Sequence, residues 1–179
     1  MLEITIPYTE LYDSGNNQFI EVREQTLRLE HSLVSLSKWE SKWHKPFLHS
    51  ADKTVEEILD YIKCMTLTQN VDPNVYLAIT NENIKQINAY LEDPMTATTF
   101  SNTNEKPSRE IVTSEIIYQW MIALNVPFEC QKWHLNRLFT LIKVCGIKSQ
   151  PPKKMNKRDL MSRNAALNQA RRKQLNTKG

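Results

Sequence analysis

Leu2, Ile4 and Ile6 alternate with Glu3 and Thr5 at the start of the chain, the period of two that a half-buried β-strand requires, and Pro7 ends the run. The stretch 13–17, Asp-Ser-Gly-Asn-Asn, is turn chemistry, because Gly and Asn adopt positive φ at little cost. Phe19, Ile20 and Val22 then predict a second strand. Leu27, Leu29 and Leu33, alternating with Arg28, Glu30 and Ser32, predict a third extended segment running towards Leu36.

After Ser37 the spacing becomes helical. Ser37 and Glu40 stand at capping-box distance, and Trp39 and Trp43, four apart, share one face of a short helix that Pro46 stops. Thr54 and Glu57 form a second capping box, ahead of a helix over 55–67 that carries Ile58, Leu59, Ile62 and Met65. Thr80 caps a helix carrying Ile84, Ile87 and Leu91, closed by Pro94. The stretch 95–107, rich in Thr, Ser and Asn, reads as a loop. From Ser108 to Leu124 apolar residues occupy so much of the helical circumference that central burial is expected. Asn125 and Pro127 end that helix, and a second apolar helix over 129–145 stops at Gly146. The pair predicts an antiparallel hairpin at the heart of the domain. Beyond the prolines at 151 and 152, Asn156 is placed to cap a last helix over 157–173 with little apolar content.

The predicted fold class is therefore α+β, mainly α. A small N-terminal β-ribbon or sheet (1–37) precedes a helical core domain (38–146) with a central antiparallel helix hairpin, and a basic C-terminal arm (147–179), helical or disordered, follows. The early ribbon has edges open to strands of the same or another chain.

Charge sharpens the last boundary. Residues 147–179 carry ten Lys/Arg against Asp159 alone, a net of +9, whereas residues 1–146 carry thirteen Lys/Arg and nineteen Asp/Glu, a net of −6. A basic arm on an acidic body suits a polyanion or an acidic protein surface. Its candidate partner-binding residues are Lys153, Lys154, Lys157, Arg158, Arg163, Arg171, Arg172 and Lys173. Without base-reading context these would hold nucleic acid only non-specifically.

Candidate chemistry elsewhere is thin. His31, His44, His49 and His134 show no metal-ligand spacing and are expected at the surface or the core edge. Glu56, Glu57 and Asp60 fall in the first turns of a helix, where its dipole favours acids. Three glycines cannot build a phosphate loop, and Ser32, Ser35 and Ser37 lack nucleophile context. Cys64, Cys130 and Cys145, without CxxC spacing, are expected as small hydrophobes in a reducing compartment. Trp120, Trp133 and Tyr118 are expected in the core, and Arg137 is expected to pair with Glu115 or Glu129. No apolar run approaches the roughly 20 residues of a membrane span, and no signal pattern opens the chain. No enzyme, cofactor, metal or membrane partner is expected.

Segments 27–40 (LRLEHSLVSLSKWE), 95–98 (MTAT), 127–137 (PFECQKWHLNR) and 162–168 (SRNAALN) resemble a group of tailed-bacteriophage proteins from the structural gene cluster, some of them assigned as tail assembly chaperones. The likeness extends over nearly the whole chain. It implies a role in tail morphogenesis in the host cytoplasm: a chaperone binding the tape measure protein and tail-tube subunits. The alternatives are a permanent virion component of the neck, tail or baseplate, with possible homo-oligomerisation, and a small non-specific nucleic-acid-binding protein.

Overall fold

The structure, a computed structural model, describes residues 1–50, 52–100, 110–149 and 156–176. The chain is α+β. Among the described residues four strands, β1 (Leu2–Ile6), β2 (Thr9–Asp13), β3 (Gln18–Val22) and β4 (Gln25–Leu29), precede six helices: α1 (Leu33–Trp43), α2 (Val55–Met65), α3 (Asn81–Glu92), α4 (Ser114–Ala123), α5 (Leu135–Ser149) and α6 (Lys157–Leu175). Two 3-10 helices, Pro73–Ala78 and Phe128–Lys132, lie between them. The chain divides into two compact units, Met1–Gly146 and Ile147–Gly179.

β1 pairs with β4 and β2 with β3, both antiparallel, from Leu2↔Leu29 to Ile6↔Gln25 and from Thr9↔Val22 to Asp13↔Gln18. The second register continues the first, so the strands form one long ribbon broken at Pro7–Tyr8 and Arg23–Glu24. Pro7 has no N–H to give the ladder, which accounts for the break. The buried face changes phase there. Ile4, Ile6, Leu27 and Leu29 point inwards before it; beyond it Leu11, Ile20 and Val22 take the inner side, and Tyr8, Tyr12 and Phe19 stay exposed. A strand at 9–13 was not evident from the sequence, because Glu10, Tyr12 and Asp13 give it no apolar stripe.

Two cores fill the first unit. One gathers the inward face of the ribbon with Trp39, Tyr61, Ile62, Met65, Val75, Ile87 and Tyr90; the other gathers Leu33, Leu36, Ile117, Met121, Val126, Cys130, Leu135, Leu138 and Ile142. Helix α1 belongs to both, sending Leu33 and Leu36 into the second core and Trp39 into the first. The Trp39 indole donates to the Glu57 carbonyl at 2.8 Å, tying α1 to the first turn of α2.

Several helix boundaries differ from expectation, that of α1 for a local reason and those of α4 and α5 for tertiary ones. α1 starts at Leu33, not after Ser37. Ser32 is the N-cap: its hydroxyl accepts from Ser35 N at 3.3 Å, and the Ser35 hydroxyl accepts from Ser32 N at 2.9 Å. The alternation ending at Leu33 therefore belongs half to β4 and half to a cap. α4 begins at Ser114 rather than Ser108, which lies outside the described residues. Its N-cap, Thr113, makes no side-chain capping bond. The buried Glu40 carboxylate of α1 does that work, accepting from Ser114 N at 2.7 Å and from Phe47 N at 2.9 Å.

Nor is α4 wrapped by the core: Ser114, Ile117 and Met121 are buried, but Ile122 is 62% exposed. α5 starts at Leu135, six residues later than expected, because Pro127 leads into the 3-10 helix and Leu135 N donates to His31 O at 2.8 Å. It then runs through Gly146, where a Cβ would meet open space. A helical glycine costs up to about 1 kcal/mol, which the flanking apolar residues tolerate. The capping box at Thr54 and the N-cap at Thr80 stand as expected, the latter completed by Asn83 as a box the sequence reading did not include, and α2 and α3 follow them. Residues 95–100 have no regular structure, and the rest of the expected loop lies outside the described residues.

Candidate partner-binding surface

Of the eight basic residues singled out in the arm, Lys153 and Lys154 lie outside the described residues. Lys157, Arg158, Arg163, Arg171, Arg172 and Lys173 all lie on α6, and all are exposed. The helix has 19 residues, about 28 Å at 1.5 Å per residue. Lys157 and Arg158 stand in its first turn and Arg172 and Lys173 in its last, with Arg163 between. The last-turn cations sit where the helix dipole favours them. Asn156 gives no side-chain cap, and the helix ends on Asn176 in the left-handed conformation, φ 54°, its N–H donating to Arg172 O. At 100° per residue the cations fall on every side of the helix, while Leu160 and Leu167 mark a thin apolar stripe. Such a helix offers charge in all directions and little apolar area, so it suits a polyanionic or acidic partner more than an apolar groove.

The aromatic ribbon tip is a surface that sequence reasoning missed. Tyr12 and Phe19 face each other across β2 and β3 with ring centroids 5.2 Å apart, and Phe19 is 71% exposed. The only sequence signal was the pair of aromatics flanking the turn at 14–17.

The candidate chemistry of the body resolves into structure. Contrary to expectation, His31 and His134 are both buried, with ring centroids 5.2 Å apart and edge to face. His31 Nδ1 hydrogen-bonds the Tyr61 hydroxyl at 2.6 Å, and His134 Nε2 the Tyr90 carbonyl at 3.0 Å. Tyr90 in turn donates to Glu30 Oε1 at 2.7 Å. Burial, aided by the neighbouring His134, pushes the His31 pKa down to about 3. Burial likewise lowers His134 and raises the phenols of Tyr61 and Tyr90. All four groups are thereby held neutral at pH 7. The two histidines join the start of α1 to the start of α5, and Asn136 completes the seam by donating to Leu91 O at 3.0 Å and Asp93 O at 2.8 Å. His44, at the C-terminus of α1 with φ 53°, and His49 are exposed.

Of the α2 carboxylates Glu57 and Asp60 make structural contacts, while Glu56 is exposed. Glu57 closes the Thr54 capping box and accepts from Lys45 Nζ at 2.6 Å, a contact that holds its pKa below the usual carboxylate range. Asp60 accepts from the Trp43 indole at 2.9 Å and from Lys42. Arg137 does not pair with Glu115 or Glu129. Its guanidinium lies 4.3 Å from the centroid of the Trp133 ring, an exposed cation–π contact that needs no carboxylate. Trp120, Trp133 and Tyr118 are half-buried at the edge of the second core rather than within it. None of the three cysteines is in a disulfide with another described residue; burial raises the pKa of Cys64 and Cys130, so neither of these two thiols is activated.

Among the described residues no group of three or more His, Cys, Asp or Glu side chains is placed to hold a metal ion, and no helix is long and apolar enough to cross a membrane. Comparison of the chain with protein-family models, curated proteins and solved structures gives no match.

Proposed function

We propose that this chain is an assembly factor of tailed bacteriophages, a tail assembly chaperone that binds the tape measure protein and tail-tube subunits through its basic arm. The observation that carries the reading is the segregation of charge: a net of +9 in the last 33 residues against −6 in the rest, with every described cation of α6 turned to solvent. An arm of this kind holds a client through several weak, salt-sensitive contacts and releases it without breaking a core. The resemblance of segments 27–40, 95–98, 127–137 and 162–168 to phage structural-cluster proteins supports the biological setting.

A second reading, a permanent virion component, is favoured by the exposed Tyr12–Phe19 pair on a two-stranded ribbon segment, a surface that neighbouring subunits in a ring would cover. Mass spectrometry of purified particles beside a pull-down from infected-cell lysate separates the two. Absence from particles together with recovery of tape measure protein is the result expected of the chaperone; presence in particles in a simple multiple of the tail symmetry would establish the virion component instead.

A further inference from the structure

Helices α2 and α3 flank a groove of about 290 Å³. The space is close to the lower end of small-molecule sites, about 300 Å³. Ile58, Tyr61 and Ile62 face it from α2, and Ile84, Ile87 and Leu91 from α3. Tyr61, Ile62 and Ile87 are buried, whereas Ile58 is 42% exposed. The groove is therefore an apolar trough open to solvent along its rim, and among the described residues no carboxylate lines it.

One cation does. Lys53 lies in the lining with its Nζ 4.4 Å from the Phe47 ring centroid, donating to Ser50 O at 2.6 Å. Among the described residues no acid neutralises it by direct contact. Glu57, the carboxylate that acts on it, is already bound by Lys45 at 2.6 Å and by Thr54 N at 2.8 Å. Partial burial lowers the Lys53 pKa, as expected of an ammonium set against apolar surface. The Asn88 side chain also lines the groove and makes no hydrogen bond among the described residues, leaving its amide as a second donor. A ligand that satisfies this arrangement has an unbranched apolar body and one anionic oxygen pair at its end.

We propose that the α2/α3 groove binds a medium-chain aliphatic carboxylate, its alkyl chain lying among Ile58, Ile62, Ile84 and Ile87 and its carboxylate paired with Lys53 Nζ. Burial of the chain supplies affinity and the ammonium selects the anionic head.

The test uses the full chain and isothermal titration with decanoate, decanol and decyltrimethylammonium, each kept below micelle formation. Decanoate is expected to bind once per chain, at least about ten-fold tighter than decanol, with the cationic amphiphile weakest. Lys53→Met should weaken decanoate by about ten-fold and leave decanol within about two-fold. Ile58→Trp, a change at an exposed rim position, should fill the trough and abolish binding of both. Absence of saturable decanoate binding, or equal affinity for the three amphiphiles, overturns the proposal on the unmodified protein alone. Decanoate affinity unchanged in a folded Ile58→Trp protein, as judged by its melting curve, would show that the amphiphile binds elsewhere and overturn it as well.

Discussion

Acidification should destabilise the body well above the range in which carboxylates protonate, because His31 is held neutral in the fold. Its pKa lies near 3 in the folded state against 6.5 for an ordinary histidine. The unfolded chain therefore binds a proton below pH 6.5 that the folded chain refuses, and stability falls by about 1.4 kcal/mol per pH unit until the folded pKa is reached. Between pH 7.5 and 5.0 this amounts to about 2 kcal/mol from His31 alone. His134, shifted in the same direction by burial, adds to it. For a body of this size that is a fall of about 4–8 °C in the melting midpoint. Asp13, Glu57 and Glu115 have lowered pKa values and lose their contribution as pH falls from their ordinary values, 3.8 and 4.5, so they act below the histidine window. The assay is thermal unfolding followed by circular dichroism at half-unit pH steps, beside an NMR titration of the imidazole C–H signals. A midpoint constant from pH 7.5 to 5.0, or a His31 signal that titrates near pH 6.5 in the folded protein, would refute the reasoning.

Removing the Glu40 carboxylate as Glu40→Ala leaves the N–H groups of Ser114 and Phe47 without their acceptor, and should cost about 2–5 kcal/mol, read as faster amide exchange at the start of α4. Trp39→Ala empties the largest fully buried site and breaks the bond to Glu57 O, for about 3–5 kcal/mol in urea unfolding. Arg137→Ala removes only an exposed stacking contact, so a loss above about 1 kcal/mol would show an unseen partner. Truncation after Ser149 removes a segment none of whose described residues belongs to either core; the melting midpoint should stay within a few degrees, and a collapse would place the arm in the core. The same truncation should abolish the salt-sensitive part of client binding.

What the sequence disclosed was local, and most of what it concealed was tertiary. The box at Thr54 and the cap at Thr80 were legible because a capping residue stands directly ahead of apolar spacing of helical period. The start of α1 was not, since Leu29 and Leu33 fit a strand alternation as well as they fit a strand end and a helix start. The starts of α4 and α5 are fixed by Glu40 and by the His31 carbonyl, groups 74 and 104 residues away in the chain, and no local pattern carries that information. Burial of the histidine pair had the same cause: His31 and His134 meet only because α1 and α5 begin side by side. Arg137 was misassigned because its helix was judged by its apolar content, while its own position faces solvent beside Trp133. The excess of positive charge in the last 33 residues is a matter of counting and needs no fold to be seen.

Phe47 gives the α1 arrangement a wider meaning. It packs against both cores and also lines the α2/α3 groove, stacked at 3.9 Å on Tyr61, whose hydroxyl reaches the His31–His134 seam. One ring is thus a common hinge-pin for the two halves of the body. A smaller side chain at this position would therefore withdraw apolar contact from both cores at once.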